Sequence, residues 1–266
     1  MTEAVLLEVE GVSKHFGGLA AVDDLSFAVA TDATFGIAGP NGAGKTTLFD
    51  AITGLARATE GRIVLAGEEI QGRSSHGICH RGVARTFQIP AVFPEHTVLG
   101  NIAVGAYFGR RSGVPSFAFD DGAIERAREA ALLVGLEDKL GAVAGPLSLF
   151  DKKRLMIASA IATQPRLLML DEPVGGLNPG EIDAVLGLVA KVRESGVTVI
   201  LIEHVMRALM AISDRVMVMN HGRLLFEGTP AEVQRHEEVI RVYLGTEPAS
   251  DSDADADASS LGGADA

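Results

Sequence analysis

Apolar residues come in short runs over the first third of the chain, take helical spacing through its middle, and return to short runs towards the end. Residues 5–9 and 25–29 alternate or run apolar, as strands do, and "TFGIAG" at 34–39 carries another strand into a glycine-rich turn. "GRIVLAGEEI" predicts two short strands either side of Gly67. From about residue 97 to 163 the period is helical: Ile124, Ala127, Ala131 and Val134 share a face, and Gly135 ends that helix. Residues 109–122, with Pro115 among glycines, predict a loop between helices. A further helix start is written in "GPLSLFDKKRLMIASA" at 145–160. Ser148 can cap it, Asp151 follows three residues on as in a capping box, and Leu149, Leu155 and Ile157 come after. "LLML" at 167–170 and "VTVILI" at 197–202 read as buried strands around a helix at 181–194, and "DRVMVMNHGRLLFEG" as a hairpin turning at His221-Gly222.

Buried apolar strands alternating with helices imply a mostly parallel sheet covered on both faces. The expected architecture is α/β: a core of residues 1–88 and 163–248 with antiparallel strands at its N-terminal end, interrupted by a helical insertion at 89–162.

The 266 residues are enough for one large domain, and 47% apolar with 22% charged residues is the balance of a soluble globular protein. No apolar run approaches the ~18 residues that would span a bilayer, and the opening "MTEAVLLEVEGVSK" lacks the marks of a secretory signal. The single cysteine, Cys79, cannot form an internal disulfide, so the expected location is cytoplasmic. A formal charge of -12 argues against nucleic acid as a partner. Part of that charge lies in residues 249–266, whose aspartates sit among Ser, Gly and Ala and predict a disordered acidic tail.

"GPNGAGKTT", 39–47, fits G-x-x-x-x-G-K-[ST] between a strand and a helical run, the context that a phosphate-binding loop requires. Its glycines let successive N–H groups turn inward on phosphate, which makes Gly39, Asn41, Gly42, Ala43, Gly44 and Thr47 nucleotide-binding candidates. Lys45 reaches the β- and γ-phosphates and Thr46 ligates Mg²⁺. In "LLMLDEP" two acids end a buried strand: Asp171 suits Mg²⁺ and Glu172 a general base, although Asp-Glu-Pro can also be a plain turn. "VILIEHV" ends in the same way at Glu203-His204, where a lone histidine can be structural. The other histidines lack metal-ligand spacing, so no zinc site is indicated.

These pieces in this order resemble the ATP-binding subunit of ABC transporters, a P-loop NTPase fold, over about residues 5–244: the P-loop, Gln88 in "RTFQ", the "LDEP" strand, "GGLNP" at 175–179, and His204. "KHFGGLAAVDDLSF", "RTFQ" and "GLNP" look most similar to the branched-chain (hydrophobic) amino-acid uptake group, with the lipopolysaccharide-export group a less good match. The resemblance implies ATP and Mg²⁺ as cofactors, and transmembrane permease subunits and a second ATPase subunit as partners. It also implies a place on the inner face of the cell membrane. It makes Phe16 an adenine-stacking aromatic, against the alternative of a core phenylalanine. Gln88 becomes the glutamine that senses Mg²⁺ and water, Asp171 and Glu172 the Walker-B aspartate and catalytic glutamate, and His204 the histidine at the γ-phosphate. Asn178 stands where many relatives have an aspartate.

In this family a signature resembling Leu-Ser-Gly-Gly-Gln closes over the nucleotide held by the other subunit. "LSLFD", 147–151, keeps Leu147 and Ser148 but has Phe150 for a glycine and Asp151 for the glutamine. Phe150 adds bulk and Asp151 would repel an anion, so Ser148 can still touch phosphate but the surface suits it poorly. A heterodimer with one weakened site is the favoured expectation, and a homodimer with a tolerated variation the other. The run Lys152-Lys153-Arg154 is expected on a solvated helix face. A regulatory subunit with weak hydrolysis is the rival function; an ATPase acting on DNA or ribosomes is disfavoured, because such proteins usually carry a long coiled-coil insertion or a second ATPase unit and this acidic sequence shows neither.

Overall fold

The computed structural model describes residues 4–109 and 120–244. The expected loop at 109–122 lies, except for its ends, outside the described residues, as does the acidic tail.

The chain opens with a long hairpin, β1 (Val5–Phe16) and β2 (Leu19–Ala30), followed by β3 (Thr34–Ala38) and helix α1 (Lys45–Ile52). Next come β4 (Glu60–Leu65), β5 (Glu68–Glu69), α2 (Ser75–Cys79) and β6 (Val83–Arg85). Helices α3 (Val98–Phe108), α4 (Asp121–Leu133) and α5 (Leu149–Ile161) form the middle of the chain. The last part runs β7 (Leu167–Asp171), α6 (Pro179–Glu194), β8 (Thr198–Ile202), α7 (Met206–Ile212), β9 (Arg215–Asn220) and β10 (Arg223–Gly228), then α8 (Pro230–Val233) and α9 (Glu237–Leu244).

Two sheets result. One is antiparallel, in the order β2-β1-β4-β5. The other runs β10-β9-β3-β8-β7-β6 and is parallel except for the β9–β10 hairpin. Both faces of this second sheet are covered, which is why its strands read as unbroken apolar runs. Leu168, Leu170, Val199, Leu201, Val216 and Val218 face a core shared with α3 to α6, while their neighbours Leu167, Met169, Ile200, Ile202, Met217 and Met219 face α1 and the antiparallel sheet.

The first two strands are more than twice as long as their apolar pattern predicts. Register shifts between Val9 and Val12 and between Val12 and Lys14 break the period of two, so the alternation disappears while the pairing continues. Helix α4 begins at Asp121 because the Asp120 side chain accepts the Ala123 N–H, so the expected loop ends before Gly122. Gly135, at φ 70, ends that helix as expected.

Candidate functional site

Four consecutive neighbours in the parallel sheet, β3, β8, β7 and β6, end on the same edge, and each is followed by residues of interest. This carboxyl edge is where open α/β sheets present their ligand-binding loops. The glycine-rich loop leaves β3, Gln88 lies just past β6, Glu172 follows β7, and His204 follows β8.

The loop 39–44 depends on its glycines for two reasons. Gly39 and Gly44 have φ of 151° and 96°, and a Cβ at either would lie 2.4 Å from the Met219 carbonyl oxygen or 2.1 Å from that of Ala21. Both backbone conformation and space therefore exclude a side chain. Gly44 is also the N-cap of α1 and no side chain caps that helix, leaving its first turn open to an anion. Lys45 is buried, and its Nζ donates to the Gly39 and Pro40 carbonyl oxygens at 2.7 and 2.9 Å. Burial lowers the Lys45 pKa, against the opposing pull of Glu172 and Asp171.

The Glu172 carboxylate is clasped from two sides. Gln88 Nε2 donates to its Oε2 at 2.7 Å, and His204 Nε2 lies 2.8 Å from its Oε1, a hydrogen bond that requires the proton on Nε2. The backbone of Glu172 is held in the left-handed region at φ 49, a conformation costly for a residue with a side chain. Asp171 sits one residue back, 5% exposed, and accepts from Arg85 Nη2 at 2.9 Å, while Nη1 of the same arginine donates to Asp50. Burial raises the Asp171 pKa and Arg85 works against that rise.

A groove of about 580 Å³ unites these groups. Phe16, Asn41 to Thr47, Gln88, Glu172 and His204 all line it, with Leu19 to Ala21 and His221 beside them. Phe16 is 54% exposed at the end of β1, so it is not the core phenylalanine that was its alternative reading. Gly39 and Asp171 are not among its lining residues, although the Gly39 carbonyl accepts from Lys45 and Asp171 directly precedes Glu172. Thr46, Asp171 and Gln88 offer hydroxyl, carboxylate and amide oxygen, a hard donor set that fits Mg²⁺. Among the described residues no group of three or more His, Cys, Asp or Glu could hold a metal ion.

Ser148 stands apart from this groove, as the N-cap of α5, where its hydroxyl accepts the Asp151 N–H at 3.1 Å. Three expectations for this region need correction. The capping box is only half made, because the Asp151 carboxylate turns away to Lys139, at 2.6 Å, and to Arg154. Those two cations neutralise Asp151, so it does not present a free negative charge to an anion. The run 152–154 is not a solvated face either: Lys153 is 3% exposed, and Arg154 donates to the Val134 and Gly135 carbonyl oxygens while its guanidinium lies over the Phe150 ring. Buried partners far along the chain claim charges that the helical spacing assigns to water.

Burial alone would raise the Asp151 pKa, but the bonds from Lys139 and Arg154 outweigh it and hold the carboxyl below its usual range. A carboxyl lowered on folding adds stability above its unfolded pKa and loses it as pH falls through the folded value. Asp151→Asn is therefore expected to cost about 2 kcal/mol at pH 7. The deficit should shrink below about pH 5. Urea unfolding midpoints across that range give the measurement, and a deficit constant with pH would remove the two ion pairs as its cause.

From the sequence alone Arg85 and Glu203 have no site role, and His221 is placed only in a hairpin turn. Arg85 lies inside "RTFQ" and Glu203 beside His204, but nothing local says that either is buried against a distant partner. Asn178, by contrast, is a full capping-box residue: it accepts from the Glu181 N–H, and Glu181 reaches back to its own N–H, both at 3.0 Å.

The sequence pattern of the family described as ABC transporter matches residues 22–175, and that of the branched-chain amino acid ATP-binding cassette transporters matches residues 223–249. The high-affinity branched-chain amino acid transport ATP-binding protein BraF of Pseudomonas aeruginosa is 41% identical, over 90% of this chain and 98% of its own length. LivG of Escherichia coli, of the same description, is 39% identical over the same shares. A solved ATP-binding cassette of an ABC transporter, MJ1267 in its ADP conformation, superposes with a TM-score of 0.84 at 29% identity, covering 91% of this chain and 99% of that one. The likeness runs through the glycine-rich loop and the Asp171–Glu172 strand alike and extends over nearly the full length of these relatives, so the chain belongs to the ABC transporter family as an ATP-binding cassette.

Proposed function

We propose that this cassette hydrolyses ATP to drive a membrane importer, with branched-chain or other hydrophobic amino acids as the cargo. The observation that carries the reading is the Glu172 carboxylate held between Gln88 and His204 at the rim of the P-loop groove. Phe16 offers its exposed ring to adenine, and the N–H groups of loop 39–44 and α1 wrap the phosphates. Lys45 exchanges the Gly39 and Pro40 carbonyls for the β- and γ-phosphates. Thr46, Asp171 and Gln88 would hold Mg²⁺, which would supply positive charge against the phosphates. Glu172 orients a water and takes its proton as the oxygen bonds to the γ-phosphorus and the bond to the ADP oxygen breaks. His204 exchanges Glu172 Oε1 for a γ-phosphate oxygen as the acceptor of its Nε2–H. The cargo rests on the names of the relatives alone, since nothing in the groove selects an amino acid.

Two such cassettes would close over two nucleotides, with the segment that starts at Ser148 meeting the partner's P-loop nucleotide. Leu149 and Phe150 place side chains where glycines would let the backbone approach, while the Ser148 hydroxyl, which accepts the Asp151 N–H, keeps its own O–H to donate. This favours a heterodimer, and it is also the feature that supports a weakly hydrolysing regulatory subunit as a second reading. Residues 89–162 form the arm that moves, relative to a core of 1–88 and 163–248. A groove of about 320 Å³ beside Gln88, walled by Leu55, Ile78, Phe87 and Met156 among others, would receive the permease on the inner face of the membrane. Among the described residues no helix is long and apolar enough to cross a membrane, so the permease supplies the spans.

ATP turnover of the chain alone and mixed with a second cassette of the same transporter tests this. Turnover only in the mixture supports the heterodimer, and turnover alone shows that "LSLFD" serves a homodimer. Silence in both, with ATP still bound, would leave the regulatory reading.

A further inference from the structure

Lys153 lies in the second turn of α5, 3% exposed, and its Nζ donates to the backbone carbonyl oxygen of Glu172 at 2.8 Å. Burying an ammonium is costly unless other charges and acceptors compensate, so a lysine placed here needs a reason. Its compensation is partial. Burial lowers the Lys153 pKa, and the negative charges of Glu203, 1% exposed, and Glu172 work against that fall. Glu203 in turn accepts the Val174 N–H at 2.8 Å, two residues after Glu172, and the backbone N–H groups of His204 and Val205. The charged pair thus touches the backbone on both sides of the clasped carboxylate: the turn bearing Glu172 and the start of the segment bearing His204.

That turn is the strained one. With φ at 49, Glu172 leaves its conformation unless its surroundings hold it there. Its N–H is tied to the Ile202 carbonyl at 3.0 Å, and its own carbonyl accepts from the Gly175 N–H within the turn at 3.3 Å and from Lys153. Of these three ties, the one from Lys153 is the only one that comes from outside the sheet and the turn itself, from the helix that Ser148 caps.

We infer that Lys153 is a positioning residue for hydrolysis: with Glu203 as its buried counter-charge, it fixes the left-handed turn that presents Glu172 to Gln88 and His204, and it fastens that turn to helix α5. The segment that meets the partner's nucleotide and the carboxylate that handles water in this chain's own site are then one mechanical unit. A shift of α5 is felt at Glu172 through a single hydrogen bond. The inference rests on Glu172 having the role proposed above.

The test uses the full chain, with its partner cassette if turnover needs one, and compares Lys153→Met, Lys153→Arg and the double variant Lys153→Met/Glu203→Gln with a Glu172→Gln control. A misplacement of about 1 Å at a reacting group is enough for a large loss, so kcat should fall about tenfold or more in Lys153→Met while KM for ATP stays within about twofold. Lys153→Arg, which can still donate to the Glu172 carbonyl, should recover much of the loss. The double variant leaves no orphaned buried charge, so it should melt nearer to wild type than Lys153→Met does while remaining slow. A double variant that is folded and turns over at the wild-type rate overturns the inference. A fall in kcat matched by a general loss of ATP affinity, with no recovery by arginine, would also overturn it in favour of a merely structural lysine. Turnover retained by Glu172→Gln would instead defeat the underlying site assignment, and the two failures can therefore be told apart.

Discussion

Glu172→Gln is expected to lower kcat for ATP hydrolysis by about 100-fold or more, the usual range for removing a general base, with KM for ATP almost unchanged. The change is nearly isosteric, so the Walker-B turn should persist. Two things are lost. An amide has no useful affinity for the proton of the attacking water. It also offers one carbonyl oxygen, whereas the carboxylate accepts from Gln88 at 2.7 Å and from His204 at 2.8 Å at once. The remaining amide N–H₂ faces a second donor, and the clasp opens on that side. Steady-state turnover and nucleotide binding on the same preparation separate the two effects. A variant that keeps more than about a tenth of wild-type kcat would mean that another group handles the water.

The second large effect is on binding. Lys45→Ala should weaken ATP affinity by about 100-fold, the equivalent of about 3 kcal/mol for the charge-assisted bonds of one ammonium to phosphate. It should also abolish the rise in melting temperature that ATP gives the wild type. Without nucleotide the variant loses two bonds that tie α1 to the loop, those to the Gly39 and Pro40 carbonyls, so a modest loss of stability accompanies it. Arginine is a poor substitute, because its planar fork does not fit a position shaped around a buried point charge. Isothermal titration with Mg-ATP gives the affinity directly, and near-normal binding would place the phosphates elsewhere than in this loop.

The two cases differ in how openly the sequence announces them. Lys45 is announced by its own neighbours: glycines that must adopt φ beyond the reach of other residues, a strand before and a helix after. Glu172 is announced only as an acid at the end of an apolar run. Its clasp joins it to Gln88, 84 residues away, and to His204 just past the next strand, and that meeting depends on β6, β7 and β8 being neighbours in the sheet. The resemblance to a known family linked the three before the geometry did.

What the sequence determined by itself is what short-range chemistry controls: the phosphate loop, the apolar strands of a doubly covered sheet, the cap at Ser148, and the hairpin at His221-Gly222. The lengths of β1 and β2 were hidden by bulges, which interrupt the period of two without ending the pairing. Only the tertiary structure decided which charges are structural. Lys153 and Arg154 look like any basic helix face, and Asp151 like a free acid beside an anion site. Yet Asp151 is neutralised from Lys139 and Arg154, Lys153 is spent on the Glu172 backbone, and Arg85 on Asp171, 86 residues distant. A charge is buried or solvated according to the free energy of its compensating partners, and those partners come from other elements, so the local pattern carries no record of them.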